Sequence, residues 1–278
     1  MDVGATVIVD YAQRWTERRA SRRPAGELIR TAAYDVAAIA SAAVAREFVA
    51  RHHYSASASS TAHRCGLYCR GDLVGVALFG PPASMAAHRA VFPTLTIREA
   101  VTLGRLVLLE TVPGNGESWF IARCFELLRA AGVVAVESCA DPEPRATASG
   151  DVVHRGHLGG IYMATNGRYV GKTNPSTLRL LPDGTCYSNR SAGKLAQGDI
   201  GRRYAAAQLE RWGADPLRDD EDALAWLRRW RGRLTRPMRH RGNHRYLWCL
   251  DRRRRREVLA APARPYPKLD ISATARAA

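Results

Sequence analysis

The stretch LGRLVLLETVPGNGESWFIARCFELLRAAGVVAVES, residues 103–138, decides the fold. LGRLVLL is an apolar run of strand length, and TVPGNGES (111–118) is a glycine-bearing loop. From Glu117 to Ala131 the pattern is helical: Phe120, Cys124, Leu127, Leu128 and Ala131 fall at i, i+4, i+7, i+8 and i+11, with Arg123, Glu126 and Arg129 elsewhere. Gly132 is the expected stop. VVAVES then reads as a buried strand, apolar without alternation, as a central strand is. Strand, glycine loop, amphipathic helix and strand in this order predict an α/β core.

Upstream, LIRTAAY (28–34) reads as a strand, and VAAIASAAVAREFVA (36–50) as one buried helix whose charges are Arg46 and Glu47. It delivers the chain to RHHYS (51–55). CGLYCRGDLVGVALFGPP reads as two strands joined at Arg70-Gly71-Asp72, and TIREAVTLGRLVLLE as a short helix and a strand. Downstream, STLRLL and TCYSN are expected strands, and GRRYAAAQLERW and DDEDALAWLRRW expected helices. The expected organisation is an N-terminal extension at 1–26 (a strand ATVIVDY, then the basic run RWTERRASRRPAG), a catalytic core at 27–190, and a basic part at 191–278 that completes the fold and contacts DNA.

The charge narrows the partner. Forty-two Lys plus Arg against 26 Asp plus Glu give a net +16 and a pI near 10.3, an attraction toward a polyanion such as nucleic acid. The excess is concentrated: Arg228 to Arg245 contains eight arginines interleaved with Trp230, His240 and His244, and Arg252 to Arg256 is an unbroken run. No run approaches the roughly 20 apolar residues of a membrane span. The N-terminus does not read as a secretory signal, and six scattered cysteines read as reduced thiols, so a cytoplasmic protein is expected. His63, Cys65 and Cys69 resemble half a zinc site with no second half, and ordinary strand residues are the expectation.

The strand–loop–helix–strand order resembles the acyl-CoA-binding core of GNAT-type acyltransferases, a mixed central sheet flanked by helices. In that fold glycine-loop amides and the helix N-terminus hold a pyrophosphate. Those loops usually carry Gln or Arg three residues before the first glycine, where this chain has Thr111. More specific is a series of motifs: HHYS at 52–55, LGRL at 103–106, GNGES at 114–118, SCADP at 138–142, GGIYMATNGRYVG at 159–171, HRYLWCL at 244–250 and PYPK at 265–268. In this order they resemble the phage Mom DNA-modification family from about Glu27 to Leu269. The resemblance implies a GNAT-like enzyme that converts adenine in phage DNA to a methylcarbamoyl derivative and shields the genome from host restriction enzymes.

The resemblance also implies roles. His53 and Tyr54 match a catalytic His-Tyr pair. A His works as a base near neutral pH, and a Tyr hydroxyl donates to an oxyanion. Asp141 joins them at the end of VVAVES, where open α/β sheets place ligands; an Asp-Pro turn is its plain alternative. Arg105, costly to bury unpaired, meets the acyl cofactor or a phosphate. Gly114, Asn115, Gly116 and Ser118 hold acetyl-CoA or a related acyl-CoA, and Ser118 is otherwise a helix cap. Tyr162, Asn166 and Arg168 contact an adenine flipped from double-stranded DNA. Iron is associated with the family, and His53, Tyr54 and Asp141 are its conceivable ligands, but no metal motif is present. A homodimer is left open. Two other readings compete: an ordinary GNAT N-acetyltransferase acting on a small amine or protein, and a non-enzymatic DNA-binding protein on a GNAT-like core.

Overall fold

The Ala-rich stretch 36–50 contains Ser41, and that residue divides it. In the computed structural model, which describes residues 11–268 except 25, 56, 59 and 83, Val36 lies in a strand, and the Ser41 hydroxyl accepts the Val44 N–H at 3.4 Å to start a helix. The single helix expected over 36–50 is therefore corrected. Pairing along Tyr34–Ala38 outweighs alanine's helix propensity, which is a weak prior.

The described residues begin with a hairpin, β1 (Tyr11–Thr16) and β2 (Arg19–Pro24), within the segment expected as an extension; ATVIVDY lies outside the described residues except for Tyr11. There follow β3 (Tyr34–Ala38), α1 (Ala42–His52), β4 (His63–Cys69), β5 (Asp72–Gly80), α2 (Met85–Val91), β6 (Ala100–Leu108), α3 (Gly116–Ala130) and β7 (Ala135–Ala140). The helix expected at TIREA is a turn, and the strand begins at Ala100. The second half adds β8 (Arg145–Ala146), β9 (Val152–His154), α4 (Gly160–Ala164), β10 (Arg168–Lys172), β11 (Ser176–Leu180) and α5 (Asn189–Gln197). It closes with α6 (Arg202–Glu210), α7 (Ala223–Leu234), β12 (Arg236–His240), β13 (His244–Cys249) and α8 (Arg255–Val258). TCYSN makes one bridge, Leu180 to Cys186, instead of a strand, because Ser188 caps α5.

These elements form two compact units. The first holds the described residues up to Asp141, then His157–Lys172, then those from Asn243. Its seven-stranded sheet has the order β10-β13-β7-β6-β5-β4-β3, antiparallel except for β6 and β7. It is a mixed α/β sheet flanked by helices. On one face α3 buries Phe120, Cys124 and Leu128 against Leu67, Phe79, Leu103, Val136 and Trp248. Each such apolar side chain contributes about 1.5–3 kcal/mol when fully buried. The other face is covered by Ala45 and Val49 of α1 at one end, and by Phe92, Leu95 and Val258 at the other.

The β6–β7 ladder runs from Ala100↔Ala135 to Leu103↔Ser138 and goes no further, although β6 continues to Leu108 and β7 to Ala140. Past Leu103 and Ser138 the two parallel strands part company.

The second unit comprises residues 142–156 and 173–242. It has the two-stranded sheets β8–β9 and β11–β12, and a core of α5, α6 and α7 around Leu195, Ala206, Leu209 and the fully buried Trp226. The basic run from 228 to 245 is thus divided among the end of α7, β12 and the start of β13.

Candidate active site

The end of α1 builds the first wall. His53 leaves the helix in extended backbone (φ −79°, ψ 139°) while its N–H still donates to Val49 O at 2.9 Å. Its imidazole is buried. Nδ1 accepts the backbone N–H of Ser55 at 3.1 Å and lies 2.9 Å from the Ser55 hydroxyl. An amide can only donate, so Nδ1 presents its lone pair, and the neutral ring carries its proton on Nε2. His53 in this setting is a hydrogen-bond donor rather than a ready base. The Tyr54 ring sits 4.2 Å from the His53 ring, tilted by 32°.

Arg105 fixes the loop that follows. In the β5–β6 pairing the register passes from Leu78↔Arg105 to Phe79↔Leu103, so Gly104 is skipped, and such a bulge re-aims the neighbouring side chain. The Arg105 guanidinium donates to Ser57 O (2.8 Å), Ser57 Oγ (3.3 Å) and Gly104 O (2.6 Å). Ser55 Oγ donates to the same Ser57 carbonyl at 3.3 Å. A chain of bonds therefore runs from Arg105 through Ser57 and Ser55 to His53 Nδ1.

Tyr162 supplies the second wall from α4. Gly159, at φ +82°, admits the turn into α4: a Cβ there would lie 2.8 Å from the rings of both Tyr162 and Tyr246. The Tyr162 phenol is pushed up to about 12, first by burial and then by Tyr54 and Cys139, while a hydrogen bond with Ser138 and the charge of Arg105 oppose the shift. Those influences place Tyr54, Arg105, Ser138 and Tyr162 in one neighbourhood, at the point where β6 and β7 separate. Ser138 Oγ donates to Leu103 O at 3.0 Å across that point.

Asp141 directly follows β7, where the chain leaves for residues 142–156. On its return the His157 N–H donates to Asp141 O at 2.8 Å, and the His157 ring stands edge-on to Tyr162 at 6.4 Å. On the face of β7 opposite Ser138, Glu137 is buried and pairs with Arg245 at 2.7 Å. Burial raises the Glu137 carboxyl above its usual range and pushes the Cys139 thiol up to about 12.

Other singled-out residues are engaged differently. Asn166 is exposed and takes the left-handed position (φ 57°) that closes α4, with Gly167 N–H donating to Tyr162 O at 2.8 Å. The Arg168 guanidinium donates to the carbonyls of Leu259 and Ala261. Ser118 Oγ donates to Asn115 O at 3.0 Å.

The glycine loop is strapped by the chain's own groups. Arg14, fully buried in β1, donates to Val112 O at 3.0 Å and to Pro113 O, and pairs with Glu117. Gly114 N–H donates to Glu27 Oε2 at 3.0 Å, and Glu27 is gripped by Arg23 at 2.7 and 2.8 Å. Gly116 N–H donates to Pro113 O (2.9 Å), and the Asn115 carboxamide accepts Ile29 N–H (2.8 Å). The amides of Gly114 and Gly116 are committed, the first to a carboxylate, and a second carboxylate, Glu117, stands in the first turn of α3, so a CoA pyrophosphate would have to displace these contacts. For iron, no group of three or more His, Cys, Asp or Glu side chains among the described residues is placed to hold a metal ion. A cavity of about 240 Å³ lined by Ala42, Arg46, Thr61 and Arg64 includes none of these residues.

Trp15, Ser57 and His157 were not singled out by sequence, and His52, Ser55 and Ser138 stood in the motifs HHYS and SCADP without a role assigned to them. The small-residue run after RHHYS signals a tight loop, but the partners that Ser57 and Trp15 find are set by long-range pairing. Among the described residues no helix is long and apolar enough to cross a membrane. Compared with known proteins, the chain matches the model of the Mom protein family over residues 33–268. No curated protein matches it.

Proposed function

Because the chain belongs to the Mom protein family, a family of phage DNA-modification proteins, we propose that it modifies the exocyclic amine of adenine in double-stranded DNA to a methylcarbamoyl derivative and so protects phage DNA from restriction. The observation that carries this reading is the convergence of His53, Tyr54, Arg105 and Tyr162 where β6 and β7 part. Parting of two parallel strands beside a loop–helix junction is also what a GNAT-like fold uses to admit a donor, which supports that finer assignment.

The amine of adenine is a weak nucleophile inside the duplex, so the base is flipped out, and its unstacking is offset by aromatic surface. Tyr54, which is partly exposed, supplies that surface, and the buried Tyr162 backs the site. The chain's own contribution is to bind and orient the base: His53, whose Nδ1 accepts the Ser55 amide, offers its Nε2–H, and the Tyr54 hydroxyl is a second hydrogen-bond donor. Asp141, at the carboxyl end of β7, takes the proton released by the amine. Arg105 acts by holding the Ser55–Ser57 loop, which fixes the His53 tautomer. The +16 charge brings the duplex to the site.

Nucleosides from plasmid DNA of cells expressing the chain test this. A new adenine derivative, absent with empty vector, is expected; unmodified adenine from cells containing soluble protein rejects the reading. An ordinary acetyltransferase would instead acetylate amines without DNA, and it leaves the arginine-rich segments unexplained.

A further inference from the structure

The hairpin Tyr11–Pro24 precedes the stretch matched by the family model, yet its bonds converge on three consecutive residues of the candidate site. Its two-residue turn, Glu17 and Arg18, is left-handed at both positions, φ 48° and 66°, as tight hairpin turns commonly are. The two amides so aimed both end on His52. Glu17 N–H donates to His52 Nδ1 at 3.1 Å, and Arg18 N–H donates to His52 O at 3.1 Å. Next to the turn, the Trp15 ring packs on Tyr54 at 5.1 Å and reaches His53 at 6.4 Å. On its other side Arg14 bonds to the glycine loop. One six-residue strand therefore ties the end of α1 to the loop before α3.

We propose that this hairpin is a positioning element of the reaction centre, in which the His52 latch docks the turn and the Trp15 ring sets the orientation of Tyr54 and His53. A hairpin serving only to cover the surface has no need of two amides bonded to one histidine, nor of a tryptophan against the His-Tyr pair. Trp15 touches no reacting atom in this account; it acts through Tyr54. The functional half of the inference rests on the proposed DNA-modifying role.

The test compares the full-length chain with Trp15→Ala, Trp15→Phe and His52→Gln, each checked for folding by thermal melting. Two readouts are taken: the rate of adenine modification against duplex concentration, and hydrogen exchange of the backbone from 51 to 55. Trp15→Ala should lower kcat by about tenfold to a hundredfold, as misplacement of a catalytic group does, with KM for DNA unchanged. Trp15→Phe, which keeps a ring, should recover most of it. Exchange at 51–55 should quicken in Trp15→Ala and His52→Gln while α3 stays protected. Wild-type kcat and unchanged exchange in Trp15→Ala would overturn the proposal, as would an equal loss in Trp15→Phe that tracks a lowered melting temperature. If wild-type protein leaves adenine unmodified, the DNA-modifying reading fails by itself, and exchange at 51–55 decides the positioning claim alone.

Discussion

Replacing Arg14 by Met should destabilise the protein far more than its place in a peripheral hairpin suggests. Arg14 is fully buried, and Glu117 is nearly so. The change strands the Glu117 carboxylate in an apolar site and removes a donor from Val112 O and another from Pro113 O. Breaking a buried ion pair from one side costs about 3–5 kcal/mol. At about 2–4 °C per kcal/mol for a chain of this size, the melting temperature should fall by roughly 10 °C. Adding Glu117→Gln removes the stranded charge, so the double variant should regain about 2 kcal/mol. The remaining deficit of about 1–3 kcal/mol belongs to the two carbonyls left without donors. Acid adds a sign test. Burial already holds the Glu117 carboxyl above its ordinary 4.5, with Arg14 opposing the shift. A carboxyl raised in the folded state gives stability that is present below its unfolded value and lost as pH rises through the folded one. Without Arg14 the folded value rises further, so the deficit of the single variant should shrink between about pH 7 and about pH 5. Urea unfolding of wild type, single and double variants at both pH values measures all of this. A single-variant loss under about 1 kcal/mol, or a double variant no better than the single, would mean that Arg14 does not compensate a buried Glu117 charge.

Arg105→Lys keeps the charge but loses the two-point grip on Ser57, so adenine modification should fall about tenfold to a hundredfold with stability nearly unchanged, read by nucleoside mass spectrometry beside melting curves. Gly159→Ala should cost about 1–3 kcal/mol in urea, because its Cβ meets two tyrosine rings from a left-handed backbone. His52 is held below its ordinary 6.5 by burial and Arg51, with Glu17 opposing. Its contribution is therefore present above 6.5 and lost as pH falls through the lowered folded value, and hydrogen exchange of the hairpin should quicken on acidification in wild type but not in His52→Gln. Arg228, Arg233 and Arg239 of the second unit have no carboxylate partner among the described residues, and Arg233 lies over Trp230 at 5.6 Å. If they meet phosphates, their triple alanine variant should lower the salt slope of DNA binding by roughly 3, at about 0.9 per phosphate.

The core was legible where periodicity and punctuation agree. Phe120, Cys124 and Leu128 line the buried face of α3, Gly132 follows at φ +83°, and the turn at Arg70-Gly71 joins β4 to β5 as read. VVAVES runs into β7, an inner strand between β6 and β13. Reading failed where local signals are weak and partners remote. The alanines of 37–43 carry no period, so the break at Ser41 is decided by pairing with β4 and by a cap. The basic texture of 14–23 hid a hairpin in which Arg14 is a buried strut rather than a surface charge. For the site, His53, Tyr54, Arg105 and Tyr162 were visible as motif residues. The contacts that orient them come from Ser138, visible only as the first residue of SCADP, and from Ser57 and Trp15, which have no distinguishing neighbours in the sequence. The glycine loop was legible as a loop, but not its straps, since Glu27 and Arg14 reach it from far along the chain.

The central claim, that the His-Tyr pair at the end of α1 works on adenine in DNA, is tested most directly by quantifying nucleosides from duplex DNA recovered after expression of wild type, His53→Ala and Tyr54→Phe at matched levels of folded protein. A methylcarbamoyl-adenine peak is expected in wild type, lost in His53→Ala and strongly reduced in Tyr54→Phe. The same peak at undiminished height in both variants would contradict the central claim, and would move the reaction centre away from residues 53 and 54.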